Sequence, residues 1–246
     1  EFAIARAFAP ELVVDRRDCL WTDAPPTARL GGGYLFAARP VPGGVRVAYL
    51  PAYLRDCGWG GPVCRLRRAG CGAHDGDSEL IVVDVARDTA ASAPWRTTGV
   101  FLSAHCFGRS GGRCRWFRGR ALDAFAWADG RPYGAPRVWV ARGKHAHYPT
   151  RRACDRGHWS YDSCDRNTVR VRFPLLAAAQ NVGSRARPAA PGGCVPAARL
   201  ALGAGTRPGA RECVWDASAP FRGWQDAASG PPPTPYAVVL ARAAGF

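Results

Sequence analysis

Tyr34-Leu35-Phe36-Ala37-Ala38 and Val45-Arg46-Val47-Ala48-Tyr49-Leu50 (residues 34–38 and 45–50) are two apolar runs separated by a turn at Pro42-Gly43-Gly44. Proline and glycine at such a break favour chain reversal, so the stretch reads as a β-hairpin. Working outward, strand-like runs bounded by Gly, Pro and Asp recur at 10–15, 79–86, 98–104, 137–142, 168–173 and 236–242. Pro174–Gln180 reads as a short helix, stopped by the Pro-rich region that follows. Residues 184–212, rich in Pro, Gly, Ala and Arg, read as a long loop-rich segment tied down by Cys194 and Cys213. Many short strands and little helix predict a mostly β chain. The expected architecture is a single-domain β-sandwich over residues 1–246 with long disulfide-stapled loops.

A chain of 246 residues, 47% hydrophobic and with nine tryptophans, buries a sizeable core and is not a disordered polymer. No run approaches the ~18 consecutive apolar residues of a membrane helix. The ten cysteines form an even set with irregular spacing and no CxxC pair of the zinc-holding kind. They are expected to be disulfides, with Cys106/Cys114 and Cys154/Cys164 placed to close short loops. That expectation implies an oxidising, secreted setting. The N-terminus fits a mature chain whose signal peptide has been removed, with Glu1-Phe2 compatible with a cloning scar.

Lysine plus arginine total 34 against 19 acidic residues, a net charge of +15, and Lys144 is the single lysine. Codon bias in a GC-rich genome accounts for Arg, Ala, Gly and Pro rising together. Whatever its origin, such a surface attracts anionic polysaccharides, phospholipid headgroups or nucleic acid. No basic helix, zinc finger or aromatic RNA-binding signature points to nucleic acid, so a glycan or a membrane surface is the expected partner.

All five histidines lie between positions 74 and 158. In His74-Asp75-Gly76-Asp77-Ser78-Glu79, a strand beginning at Asp77 would put Asp77 and Glu79 on one face, with His74 folding back from the preceding turn. An imidazole and two carboxylates suit Ca²⁺, Mg²⁺, Mn²⁺ or Zn²⁺; a solvated acidic turn is the alternative. Further on, Phe101, Ser103 and His105 alternate onto one face, so His105 could enter the same cleft. In Gly143-Lys144-His145-Ala146-His147, the two histidines share a face if the strand persists, and Gly143 invites close backbone approach. Lys144 is a candidate anion clamp or base. The Cys154–Cys164 loop carries His158, Trp159 and Tyr161, a candidate carbohydrate surface, and Asp162 and Asp165 offer a further metal loop.

These contexts, in this order, resemble two families. His74-Asp75-Gly76-Asp77-Ser78-Glu79 resembles the Gly-His-Arg-His-Asp-Trp-Glu heptapeptide of the necrosis- and ethylene-inducing peptide-like proteins. Gly76-Asp77-Ser78-Glu79 resembles the Gly-Asp-Trp-Glu motif of the vacuolar-protein-sorting-associated protein sixty-two family. Ser103-Ala104-His105, Gly143-Lys144-His145-Ala146 and the opening Phe8-Ala9-Pro10-Glu11-Leu12 are similar to further segments of those families. The resemblance covers roughly residues 8–150 and departs at Ser78, where the motifs carry Trp, and in the number of cysteines. It implies a β-sandwich in which His74, Asp77 and Glu79 ligate a divalent cation, with His105 nearby. The site would lie beside a pocket for lipid sugar headgroups, with membrane damage as a consequence.

Three functions follow as expectations. The first is a secreted, divalent-metal-dependent protein binding anionic glycans or lipid sugar headgroups. The second is a metal-dependent hydrolase or lyase on an acidic polysaccharide or phosphodiester, with His105, Lys144 or His145 as acid or base and His147 lining the cleft. The third is a structural or adhesive protein. No GxSxG, HExxH or P-loop motif supports the common hydrolase mechanisms.

Overall fold

The computed structural model describes residues 2–18, 35–56, 74–88, 95–104, 114–156, 162–172, 194–196 and 213–216. A short helix α1 (Phe2–Ala7) precedes β1 (Glu11–Asp15). The hairpin strands β2 (Leu35–Val41) and β3 (Gly44–Leu50) lead into β4 (Ala52–Asp56), β5 (His74–Ser78), β6 (Ile81–Arg87) and β7 (Trp95–Leu102). After β8 (Arg115–Arg118) comes a 3-10 helix (Gly119–Ala124), then β9 (Arg137–Val140) and β10 (His147–Tyr148). Helix α2 (Arg151–Asp155), β11 (Thr168–Arg172), β12 (Cys194–Pro196) and β13 (Cys213–Asp216) complete the described elements. The described chain is mostly β with few, short helices.

The predicted hairpin forms, in register from Leu35↔Leu50 to Val41↔Gly44. Gly43 takes φ +74°, the left-handed region that glycine enters without steric cost. Beside it, β3 pairs with β6, and a Cβ added to Gly44 would stand 2.0 Å from the Val85 carbonyl oxygen. The hairpin belongs to an antiparallel five-stranded sheet, β2-β3-β6-β7-β8. A four-stranded sheet, β10-β9-β1-β11, has β1 in its interior, parallel to β9 and antiparallel to β11. Both sheets contribute to one hydrophobic cluster: Leu12, Val14 and Val138 from one, Val47, Val83 and Leu102 from the other. Alternate residues of each strand supply these side chains, as period-two geometry requires.

On the opposite face of the five-stranded sheet, Asp84 accepts two hydrogen bonds from Arg46 (2.6 and 2.9 Å) and one from Arg118 (2.8 Å). Trp116 lies over Gly99, where a side chain would meet its ring at 3.3 Å. At the N-terminus, Ala5 of α1 is buried in the core, and the Tyr49 hydroxyl donates to its carbonyl at 2.7 Å.

Seven expected strands appear, as β1, β2, β3, β6, β7, β9 and β11; residues 236–242 and 174–180 lie outside the described residues. The acidic segment differs from expectation. His74–Ser78 is a separate strand paired with β4, and β6 begins only at Ile81. Glu79-Leu80 separates the two strands, so Asp77 lies within β5 and Glu79 in the break before β6. Cys194 opens β12, which pairs antiparallel with β13 from Cys213; the rest of 184–212 lies outside the described residues. Cys154 and Cys164 form a disulfide as the loop length suggested, and among the described residues no cysteine is free.

Gly44→Ala is expected to destabilise the fold by about 1–3 kcal/mol, because its methyl is driven into backbone rather than a yielding side chain. Urea unfolding checks this; a variant as stable as wild type would show that β3 and β6 separate readily.

Candidate functional site

Strand β9 ends at Val140, and the chain reverses tightly before β10 returns along it, pairing His147↔Val140. The Ala141 N–H donates to the Ala146 carbonyl and the His145 N–H to the Ala141 carbonyl, both at 2.9 Å. The reversal needs two left-handed residues, Gly143 (φ +75°) and His145 (φ +54°). For a residue with a side chain that conformation costs about 1–2 kcal/mol and persists only where surrounding contacts enforce it. Asp18, buried below the turn, supplies them. Its Oδ2 accepts the Gly143 N–H at 2.8 Å, and its Oδ1 faces His145 Nε2 at 3.3 Å.

From β4, Tyr53 enters the same space. Its ring stacks on His145 with centroids 4.2 Å apart and planes 15° from parallel. Its hydroxyl lies 2.8 Å from His147 Nε2. The hydroxyl donates if the imidazole proton sits on Nδ1 and accepts if it sits on Nε2. The His147 N–H donates to the Ser103 carbonyl at 2.9 Å. The Ser103 hydroxyl donates in a short contact to Glu79 Oε2 and accepts the Leu80 N–H at 2.7 Å. Asp18, Tyr53, Glu79, Ser103, His145 and His147 are all buried.

Full burial pushes His147 down to about 3, because no water remains to solvate its cation; the nearby Leu80 backbone opposes this and the His145 ring adds to it. The ring is therefore neutral at physiological pH. Its Nδ1 is buried and, despite the proximity of Leu80, has no hydrogen bond of acceptable geometry.

Three sequence contexts thus meet in one place. Glu79 accepts the hydroxyl of Ser103, just beyond β7, and the Ser103 carbonyl accepts the His147 N–H. His145 and His147 do not share a strand face as expected; they contact Tyr53 from separate positions, one in the turn and one in β10. Lys144 is half-buried at the turn tip. For His74 and Asp77 the register is described: His74 is opposite Asp56, and Asp77 is opposite Tyr53. His105, His158, Trp159 and Tyr161 lie outside the described residues. Asp162 accepts the Tyr148 hydroxyl in a short contact, while Asp165 pairs with Arg17 and accepts the Asn167 N–H at 3.1 Å. Among the described residues, no group of three or more His, Cys, Asp or Glu is disposed to hold a metal ion.

No protein-family profile, curated protein or solved structure matches this chain. The site therefore stands on its own geometry. The sequence pattern marks neither Asp18 nor Tyr53 as a site residue, and it marks Ser103 only as a strand neighbour of His105. Asp18 reaches Gly143 across 125 positions and Tyr53 reaches His147 across 94, separations for which a single sequence carries no local signal.

The neutral His147 carries a pH signature. Its folded value lies below the ordinary unfolded value of about 6.5, so the unfolded state binds the proton first as pH falls. Stability is lost between about pH 6.5 and 3, on the order of 3 kcal/mol by pH 4 from this group. His147→Gln is expected to lack that increment when urea unfolding is compared at pH 7 and pH 4. Equal acid losses in both proteins would show that the ring is not held neutral by burial.

Proposed function

We propose that this is a secreted, divalent-metal-dependent protein that binds anionic glycans or lipid sugar headgroups. The observation carrying the reading is that Tyr53, registered against Asp77, contacts His145 and His147, while Ser103 links Glu79 to His147. His74, Asp77 and Glu79 would hold the ion. Glu79 contributes a buried carboxylate, and His147 offers a neutral imidazole with an unpartnered Nδ1, the form in which histidine ligates metals. A divalent cation there would supply positive charge for an acidic sugar or phosphate group. Secretion is supported by the ten cysteines and the Cys154–Cys164 bridge. With the reading goes a sandwich architecture, supported by the one core cluster to which both sheets contribute.

One observation favours a second reading, cleavage of the acidic polymer: Asp18 faces His145 as a carboxylate orients a histidine base. The His145 ring is fully buried, however. Cleavage would require the turn to move, which binding does not.

Metal content and melting temperature should be measured for wild type and His74→Ala/Asp77→Ala, with and without chelator. The expected result is near one equivalent of metal in wild type, lost in the variant, with chelator lowering the wild-type melting temperature by several degrees. No metal and no chelator effect would overturn the metal reading.

A further inference from the structure

Asp18 and Tyr53 are not the only groups that hold the histidine turn. Ala141 and Ala146, at its two ends, pack in a small buried cluster with Tyr148, Cys154 and Cys164. Successive strand residues point to opposite faces, so His147 turns toward Tyr53 while Tyr148 turns toward the disulfide. From β10 the chain runs into α2, which Thr150 caps by accepting the Ala153 N–H at 3.0 Å. Cys154 on that helix is bridged to Cys164. The residues leading to Cys164 return to the turn. The Ser163 carbonyl accepts the Arg142 N–H at 3.0 Å, and the Asp162 carboxylate accepts the Tyr148 hydroxyl in a short contact. Cys164 donates its N–H to Asp155 Oδ1 at 3.0 Å, and its Sγ lies 3.4 Å from the Val140 carbonyl oxygen. Turn, β10, α2 and residues 162–164 thus form a closed circuit in which the S–S bond is one link.

We propose that the Cys154–Cys164 bridge is an oxidation-dependent lock on the histidine turn: the Tyr53, His145 and His147 arrangement assembles in the disulfide form of the chain and not in the dithiol. His145 holds its left-handed backbone only while surrounding contacts enforce it. Opening the S–S bond removes the covalent link between α2 and residues 162–164, which supply the acceptors for Arg142 and Tyr148. Closing it takes two protons and two electrons from the two thiols. The acceptor is a disulfide-form oxidant, whose own S–S bond is cleaved to two thiols. Both cysteines are buried in the finished fold, so the lock closes during assembly and does not toggle afterwards. Coupling between two parts of a structure is reciprocal, so the turn must in turn protect the bridge from reduction. Under the metal-binding reading above, the chain would take up its ion only after reaching an oxidising compartment. That consequence rests on that reading, whereas the lock itself needs no metal.

The test equilibrates full-length protein in graded dithiothreitol with chelator present, and follows this bridge by alkylation and peptide mass. Asp18→Asn, which weakens the turn without touching the cysteines, is compared with Gly44→Ala, which weakens the distant contact of β3 with β6. The bridge in Asp18→Asn is expected to be half-reduced at about tenfold lower dithiothreitol than in wild type. In Gly44→Ala it should stay within about twofold of wild type. Shifts that follow each variant's urea stability alone would overturn the lock in favour of a general staple. A second readout is the His145 ring, whose protons lie against the Tyr53 face and resonate upfield. Cys154→Ala/Cys164→Ala is expected to lose that shift while the Phe117–Phe125 contact of the shared core keeps its own. Stacking retained without the bridge would overturn the proposal. If the bridge-free variant does not fold, the comparison of Asp18→Asn with Gly44→Ala decides alone. Because both readouts are taken in chelator, a wild type that binds no metal would overturn the metal reading, and an observed coupling would still support the lock.

Discussion

A carboxylate buried without partners costs several kcal/mol, and Asp18 escapes that cost by binding the turn after β9. Its two oxygens take the Gly143 N–H and face the His145 ring, so the acid and the left-handed turn stabilise each other. The fixed imidazole then provides the surface on which Tyr53 stacks, and the Tyr53 hydroxyl fixes the position of His147. Each group is held by the one before it. Loss of Asp18 would leave the strained backbone without the carboxylate that holds it in place.

The second organising group is Asp84 with its two arginines, on the face of the five-stranded sheet away from the shared core. One carboxylate there ties β6 to β3 and β8, while Trp116 fills the space above Gly99. A chain with so many arginines must manage their mutual repulsion. Here the guanidiniums are engaged partly by a shared acid and partly by aromatic faces.

The strands with continuous apolar character were legible in the sequence, because burial of alternate residues leaves a pattern that needs no partner to be read. Strand β5 was not: His74–Ser78 contains no aliphatic or aromatic apolar residue, and its strand conformation comes from pairing with β4. The Pro42-Gly43 turn was legible because glycine and proline act locally. Of the site, the residue types at Glu79, His145 and His147 were visible, as was Gly143 as a special backbone position, here the left-handed residue of the turn. Their assembly was not, since Asp18 and Tyr53 lie in segments whose local sequence gives no sign of a distant histidine.

Strand β1 occupies an interior position in its sheet, with Glu11 registered against Arg137 on one side and Arg172 on the other. Both neighbours come from far along the chain. Synthesis must therefore pass Arg172 before that sheet can close. Until β9 is made, β1 presents two unpaired edges, and one of them stays unpaired until β11 follows. Such non-local pairing slows folding, because loop-closure entropy is lost before any contact compensates for it. The arrangement keeps β1 waiting on strands made more than a hundred residues later, so this sheet is secured late.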